Sequence, residues 1–354
     1  MRVFNRSGFS RRAALLGGCG LGLGLVLAGR GRAEAEIPLA GRRIAFLIGN
    51  EGSGGYETYA RVFATHLARA LPESSISIEV VPEADGRLAA KRIAAAREGE
   101  LTIGLFETAL LYSEIESETA TAFSVGAFNW IGKLAVDERV LVAGTASGVR
   151  SIDDLEARAE PAIFPASTIV SRSASECYVL NALLGLSIKP VPGYNGGQRA
   201  LAMLSGEGQV ILGSYTSQSK LIDQGAVSVI LRLNEVPAPQ APTTAPLLRS
   251  LVTPERSLPV DLIEAAATLG RWIAAPPSVA PADLDALRAA FDKVVSNAEY
   301  REEMRRTELA VDPLGGAEVQ KRVRALLDRK TDLQAALAEA GRCGRLRADG
   351  ERTC

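Results

Sequence analysis

The residues best suited to chemistry in this 354-residue chain are Gly52-Ser53-Gly54-Gly55-Tyr56, which follow an apolar run at 44–48 and lead into a helical pattern. A Gly-rich loop feeding a helix N-terminus leaves several backbone N–H groups without intrahelical partners. It aims them at one point, where the helix dipole adds about half a positive charge. Such a junction suits an anion, so Ser53, Gly54, Gly55 and Tyr56 are candidate ligand-binding residues, although the same glycines would also serve a plain tight turn. A second cluster, Ser167-Thr168-Ile169-Val170-Ser171-Arg172-Ser173, sets hydroxyls before another helix. Ser167 and Thr168 are the candidates there, while Ser173 alone suits a helix cap as well. The third candidate loop is Tyr194-Asn195-Gly196-Gly197, again leading into a helix.

What these clusters lack narrows the chemistry. The only histidine, His66, falls in a helical pattern beside Val62, Phe63 and Leu67, the usual setting of a packing residue rather than a catalyst. No Ser-His-Asp set can be assembled, and Gly52-Ser53-Gly54-Gly55 does not give the Gly-x-Gly-x-x-Gly fingerprint of a dinucleotide site. No catalysis, cofactor or metal is therefore expected. A formal net charge of −1 gives no reason to expect nucleic acid.

These loops need a scaffold, and the chain provides alternating elements. The unbroken apolar run 44–48 reads as a strand buried on both faces, and Tyr59, Val62, Phe63, Leu67 and Ala70 share one face of the helix after it. Strands at 76–81 and 101–106 flank a helix at 87–96. A second set begins near 139, with Ser151 as the N-cap of a short helix, a strand at 162–164, a helix at 173–184 and a strand at 210–213. Residues 214–217 read as a polar loop, and a strand at 227–233 closes this set. Four prolines within 237–246 mark a surface connection. Further on, 258 onward turns helical, 272–274 is a short strand, and Pro281 opens a helix to 297 that buries Leu284, Leu287, Phe291, Val294 and Val295. Helices at 298–307 and 317–340 are expected to wrap the first domain. The alternation argues for an α/β fold with mostly parallel sheets, whose ligands sit at the carboxyl ends of the strands.

The first 35 residues stand apart. Arg2, Arg6, Arg11 and Arg12 precede an apolar run at 13–28, and Ala33-Glu34-Ala35 supplies a small-x-small cleavage pattern, so 1–35 read as a secretory signal peptide cleaved near Ala35. Ser10-Arg11-Arg12 with Leu15 and Leu16 looks like a twin-arginine signal. Cys19 offers a lipoprotein site as an alternative, though most of the apolar run follows it. Of the other cysteines, Cys177 lies in a helical pattern, while Cys343 and Cys354 lie in a polar tail where an oxidising compartment would allow a bridge.

Six segments occur in the order and spacing of a known family: Gly54-Gly55-Tyr56-Glu57-Thr58-Tyr59-Ala60-Arg61, Trp130-Ile131-Gly132, Ser151-Ile152-Asp153-Asp154-Leu155, Gly193-Tyr194-Asn195-Gly196-Gly197, Ala275-Pro276-Pro277 and Asp312-Pro313-Leu314. With the signal peptide, the set resembles the tripartite tricarboxylate transporter substrate-binding receptors. The resemblance implies a two-lobed periplasmic binding protein of type II, each lobe a mostly parallel sheet flanked by helices. The lobes would be 36–138 plus 248–340 and 139–247, with 341–354 a flexible tail. It implies a periplasmic monomer that captures a small carboxylate between the lobes and delivers it to large and small membrane subunits. Ser53 to Tyr56 would face the ligand from one lobe, and Ser167, Thr168 and Tyr194 to Gly197 from the other. A TRAP-associated extracytoplasmic receptor or a periplasmic sensor feeding a signalling partner is the alternative. The sequence departs from the family at Pro82-Glu83-Ala84-Asp85-Gly86 and at Pro165-Ala166-Ser167-Thr168. Two carboxylates near an anion site leave two readings: Glu83 and Asp85 point to solvent, or the ligand carries an amine or a bound cation as well.

Overall fold

Strand β1 (Arg43–Ile48) is the inner strand on which the first sheet is built, because Ile44, Phe46, Leu47 and Ile48 have no exposed surface. The computed structural model describes residues 39–49, 55–117, 122–237, 239–242, 244–346 and 354. The signal segment 1–35, Ser53, Gly54 and residues 347–353 of the expected tail lie outside them. In chain order the elements are α1 (Gly55–Ala70), β2 (Ser75–Val80), α2 (Arg87–Ala94), β3 (Leu101–Phe106), α3 (Ala109–Glu116), β4 (Asn129–Lys133), β5 (Arg139–Gly144), α4 (Ile152–Glu156), β6 (Ala162–Pro165), α5 (Arg172–Leu184), β7 (Ile188–Val191) and α6 (Gly197–Leu204). They continue with β8 (Val210–Ser214), α7 (Tyr215–Asp223), β9 (Val227–Arg232), α8 (Leu258–Thr268), β10 (Trp272–Ala275), α9 (Pro281–Ser296), α10 (Ala298–Arg306), β11 (Leu314–Gly315), α11 (Gly316–Asp328) and α12 (Lys330–Gly344).

The first sheet has the order β11-β4-β10-β3-β1-β2. Its N-terminal strands are parallel, as βα alternation requires, whereas β10 runs antiparallel to both β3 and β4, and β11 is antiparallel to β4. The second half holds an antiparallel sheet, β8-β5-β9, and a parallel pair, β6-β7. The sheets are thus mixed rather than mostly parallel. The reason lies in the route of the chain: it leaves the first sheet after Lys133 and returns only at Trp272, so β10 enters from the opposite end.

The crossing is tightly held. Residues 134–137 lie along the returning chain, with Leu134 N–H donating to Arg271 O (2.8 Å), Arg271 N–H to Ala135 O (3.1 Å) and Asp137 N–H to Ala267 O (2.9 Å). Gly270 permits this approach, since a Cβ there would sit 2.3 Å from Ala135 O. Core packing explains one landmark of the sequence: a Cβ on Gly132 would lie 2.4 Å from the Phe291 ring, which also packs on Phe63 of α1. Trp130 and Trp272 stack with centroids 4.0 Å apart in a separate core cluster.

Four expectations are corrected. Residues 214–217 are not a loop, because α7 begins at Tyr215, directly after β8. Helix α5 begins at Arg172, with Ser171 rather than Ser173 as its N-cap, accepting from Ala174 N–H at 3.3 Å. The helical stretch 317–340 divides at Arg329, and its second part, α12, packs on α3 and α8 of the first half but also across α5 of the second. Nor are residues 341–346 loose: Gly344 is buried, its carbonyl accepts from Asn181 Nδ2 (2.8 Å), Arg345 covers the Tyr178 ring, and Cys343 is bridged to Cys354. The apolar face Leu333, Leu337 and Ala340 continues to the helix end and draws this segment onto α5.

Candidate functional site

The two halves meet on a cluster of buried charges. Arg271, Arg139 and Arg172 are 1%, 3% and 5% exposed, and with them lie Asp137 (1%) and Glu176 (0%). Charges so placed are stable only when paired and hydrogen-bonded. Arg172 Nη1 donates to Asp137 Oδ2 (3.2 Å) and to Thr108 Oγ1 (2.6 Å), and its Nε donates to Glu176 Oε1 (2.8 Å). Arg139 Nη2 donates to Glu176 and to Ser173 Oγ (3.0 Å). Arg271 Nη1 donates to Val136 O (3.0 Å) and Asp137 Oδ1 (3.4 Å), and its Nη2 to Ser214 Oγ (3.0 Å). Burial opposes charge on Asp137, but Arg271, Arg139 and Arg172 around it hold its pKa at about 2. Burial pushes the nearby Glu107 above its ordinary value, against the pull of Arg172. Three guanidinium groups thus face Asp137 and Glu176, with Glu107 as the third carboxyl of the cluster.

Helix α1 supplies the wall of this cluster. Tyr56 and Tyr59, three apart, share its buried face, and Arg271 sits 5.0 and 4.9 Å from their ring centroids, close enough for cation–π attraction. Tyr59 Oη donates to Ala310 O, while the buried Tyr56 Oη has no partner among the described residues. Gly55 begins α1 against Thr216 of the second half, and a Cβ there would stand 3.0 Å from Thr216 Cγ2. The start of α1 therefore abuts the start of α7.

Beside the cluster is a cavity of about 380 Å³. Its first-half wall is Asp85, Arg87, Ala109, Tyr112, Ser113, Glu116 and Ser117, and its second-half wall is Val170 and Arg172. Glu83 is exposed, so of the two acids noted in the β2–α2 loop only Asp85 lines it. The other expected residues lie as follows. Ser167 and Thr168 are joined to the Tyr194 loop, because Gly193 N–H donates to Ser167 O (3.2 Å) and Tyr194 N–H to Ala166 O (3.0 Å). Tyr194, however, gives its hydroxyl to Glu207 and lines a separate depression on α6; Asn195 and Gly197 are exposed. Gly196 turns the chain into α6 with a φ of 42°. Among the described residues no hydrogen bond joins this loop to Gly55 or Tyr56. His66 bonds Glu303 Oε2 through Nε2 at 2.9 Å and meets the Tyr300 ring edge-on, far from the cavity in the packing of α1 on α10.

Arg172, Arg271, Asp137, Glu176 and Tyr112 were not singled out by sequence reasoning, yet faint signals existed. Arg172 and Glu176 are spaced i, i+4 at a helix start, and Arg139 and Arg271 stand beside wholly apolar strands where a lone charge needs a buried partner.

No family model and no curated protein matches the sequence. Solved structures do match its fold. A TctC solute binding protein from Polaromonas aligns with a TM-score of 0.60 and 18% identity, over 84% of this chain and 98% of that one. An R. palustris protein with adipate gives 0.67 and 15%, over 84% and 97%, and MatC from Rhodopseudomonas palustris with bound malate gives 0.64 and 19%, over 84% and 99%. The chain therefore has the fold of the two-lobed periplasmic binding proteins. Within that class its fold is that of the TctC-type solute-binding proteins.

Proposed function

We propose that this chain is an exported solute-binding receptor that captures a small carboxylate between its lobes, 36–138 plus 248–340 and 139–247, and delivers it without turnover to a tripartite-tricarboxylate-type membrane transporter. The observation that carries the reading is the concentration of three guanidinium groups at the junction of the halves, with one of them, Arg172, in the wall of a cavity lined by residues of both. An anion in that cavity would meet Arg172 where a charge-assisted hydrogen bond is strong. Two proteins of the same fold, solved with adipate and with malate, support the choice of a carboxylate. The signal-like segment 1–35 supports a periplasmic location. In this reading the N-terminus of α1, with Ser53, Gly54, Gly55 and Tyr56, supplies backbone donors, and Ser167 and Thr168 stand on the opposing side. The Tyr194 to Gly197 loop is joined to them through Gly193 N–H but lies outside the cavity wall.

A thermal-shift panel of mono-, di- and tricarboxylates against nucleotides and neutral sugars tests it. Stabilisation by a carboxylate is the expected result. A melting temperature raised only by a nucleotide or a sugar overturns the reading.

A further inference from the structure

The cavity that would hold the ligand is electrically lopsided. On the second-half wall stands Arg172, 5% exposed, whose Nε and Nη1 are engaged while the buried Nη2 has no partner among the described residues. On the first-half wall stand Asp85 and Glu116 with Arg87, two acids against one base. A plain dicarboxylate that reaches Arg172 with one end brings its other charge toward this acidic wall, and like charges close together in a poorly hydrated cleft repel.

The backbone that presents Asp85 is unusual. Ala84 and Asp85 both adopt left-handed conformations, with φ of 55° and 54°, followed by Gly86 at 80°. Consecutive left-handed non-glycine residues are sparsely populated and cost free energy, so something must hold them. Gly86 is pinned against the end of β1, where a Cβ would lie 2.6 Å from Gly49 O. The strained turn carries Asp85 to the cavity wall while its neighbour Glu83 stays in solvent. Glu116, at the end of α3, has its carboxyl pushed up by burial, against a hydrogen bond with Ser175 and the pull of Arg345. An ammonium in the cavity would add to the pull of Arg345 on the same carboxyl.

We propose that the ligand is a zwitterion, a small carboxylate that also bears an ammonium group, with the carboxylate taken by Arg172 and the ammonium by Asp85 and Glu116. The inference rests on the carboxylate-receptor reading and narrows it. About 380 Å³ lies at the small end of ligand pockets, which span about 300–1,000 Å³, and fits a molecule of amino-acid size.

Titration calorimetry on the purified chain with matched pairs tests it: glutamate against glutarate, aspartate against succinate, alanine against propionate. For at least one pair the amino form is expected to bind tighter by roughly tenfold or more, the scale of one charge-assisted hydrogen bond. Asp85→Asn, which keeps a residue tolerant of the left-handed region, should erase most of that preference, weakening the amino form and tightening the deaminated dicarboxylate by removing a repelling charge. Glu116→Gln tests the second acceptor, and circular dichroism checks the folding of both. If carboxylates bind but no amino form is preferred, or if neither variant changes the preference, the zwitterion inference is overturned and the carboxylate receptor stands. If no member of any pair binds, the receptor reading falls with it.

Discussion

Arg172 Nη1 lies 3.2 Å from Asp137 Oδ2, which ties the first turn of α5 to the segment that carries the chain from one half to the other. The same guanidinium reaches Thr108, at the N-terminus of α3. One side chain thus touches three elements that meet nowhere in the sequence.

That geometry makes Asp137 a pH-sensitive support. Its pKa is held at about 2 against an ordinary 3.8, so its folded-state value is depressed. The stability it contributes is fully present above about pH 4 and is lost as pH falls toward about 2, a change on the order of 2 kcal/mol. Asp137→Asn should therefore unfold at lower urea than the parent near neutrality, by about 3–5 kcal/mol for breaking a buried pair. The two proteins should converge on acidification. Urea titrations at pH 7 and pH 3 check this; an equal gap at both values would refute it.

Arg172→Lys should not be conservative. A single ammonium cannot serve Glu176, Thr108 and Asp137 from the fork that Arg172 provides. Loss of measurable carboxylate binding by calorimetry is expected, with destabilisation of about 3 kcal/mol in urea.

Gly55 is constrained by Thr216 across the junction. Gly55→Val should push α1 away from α7 and lower affinity by roughly tenfold or more through loss of backbone donors. The milder Gly55→Ala should be relieved by Thr216→Ser, which removes the methyl that a Cβ would meet. Affinities of the two single variants and the double, measured by calorimetry, test the coupling. Arg61→Ala removes only an exposed bond to Glu57 at 2.7 Å and should leave binding unchanged.

His66 is expected to be structural. His66→Ala loses the bond to Glu303 and the edge contact with Tyr300, at a cost of about 2 kcal/mol in urea unfolding. Ligand affinity should stay at the parent value.

The cost of filling Gly132 tests the core beneath the site. Gly132→Ala would press on the Phe291 ring and should destabilise by about 1–3 kcal/mol, read as a lower melting temperature with an unchanged binding stoichiometry.

Hydrophobic periodicity by itself determined the local elements. The unbroken apolar run of β1, the buried face of α1 through Tyr59, Phe63 and Leu67, and the Pro281 start of α9 all stand where their spacing places them. Those signals are local: each depends on residues within a few turns or strand positions of one another. The Arg172–Glu176 pair, four residues apart on one helix, belongs to the same class. Periodicity could not reveal that Arg271 meets Asp137 across 134 positions, that β10 enters the first sheet antiparallel, or that Asp85 rather than Glu83 faces the cavity. Those outcomes follow from the path of the chain between the halves and from the close approach of Gly86 to Gly49 and Gly270 to Ala135. A lone charge in a sequence shows that it needs a partner; only the tertiary structure, by bringing distant segments into one water-poor junction, decides which partner it gets.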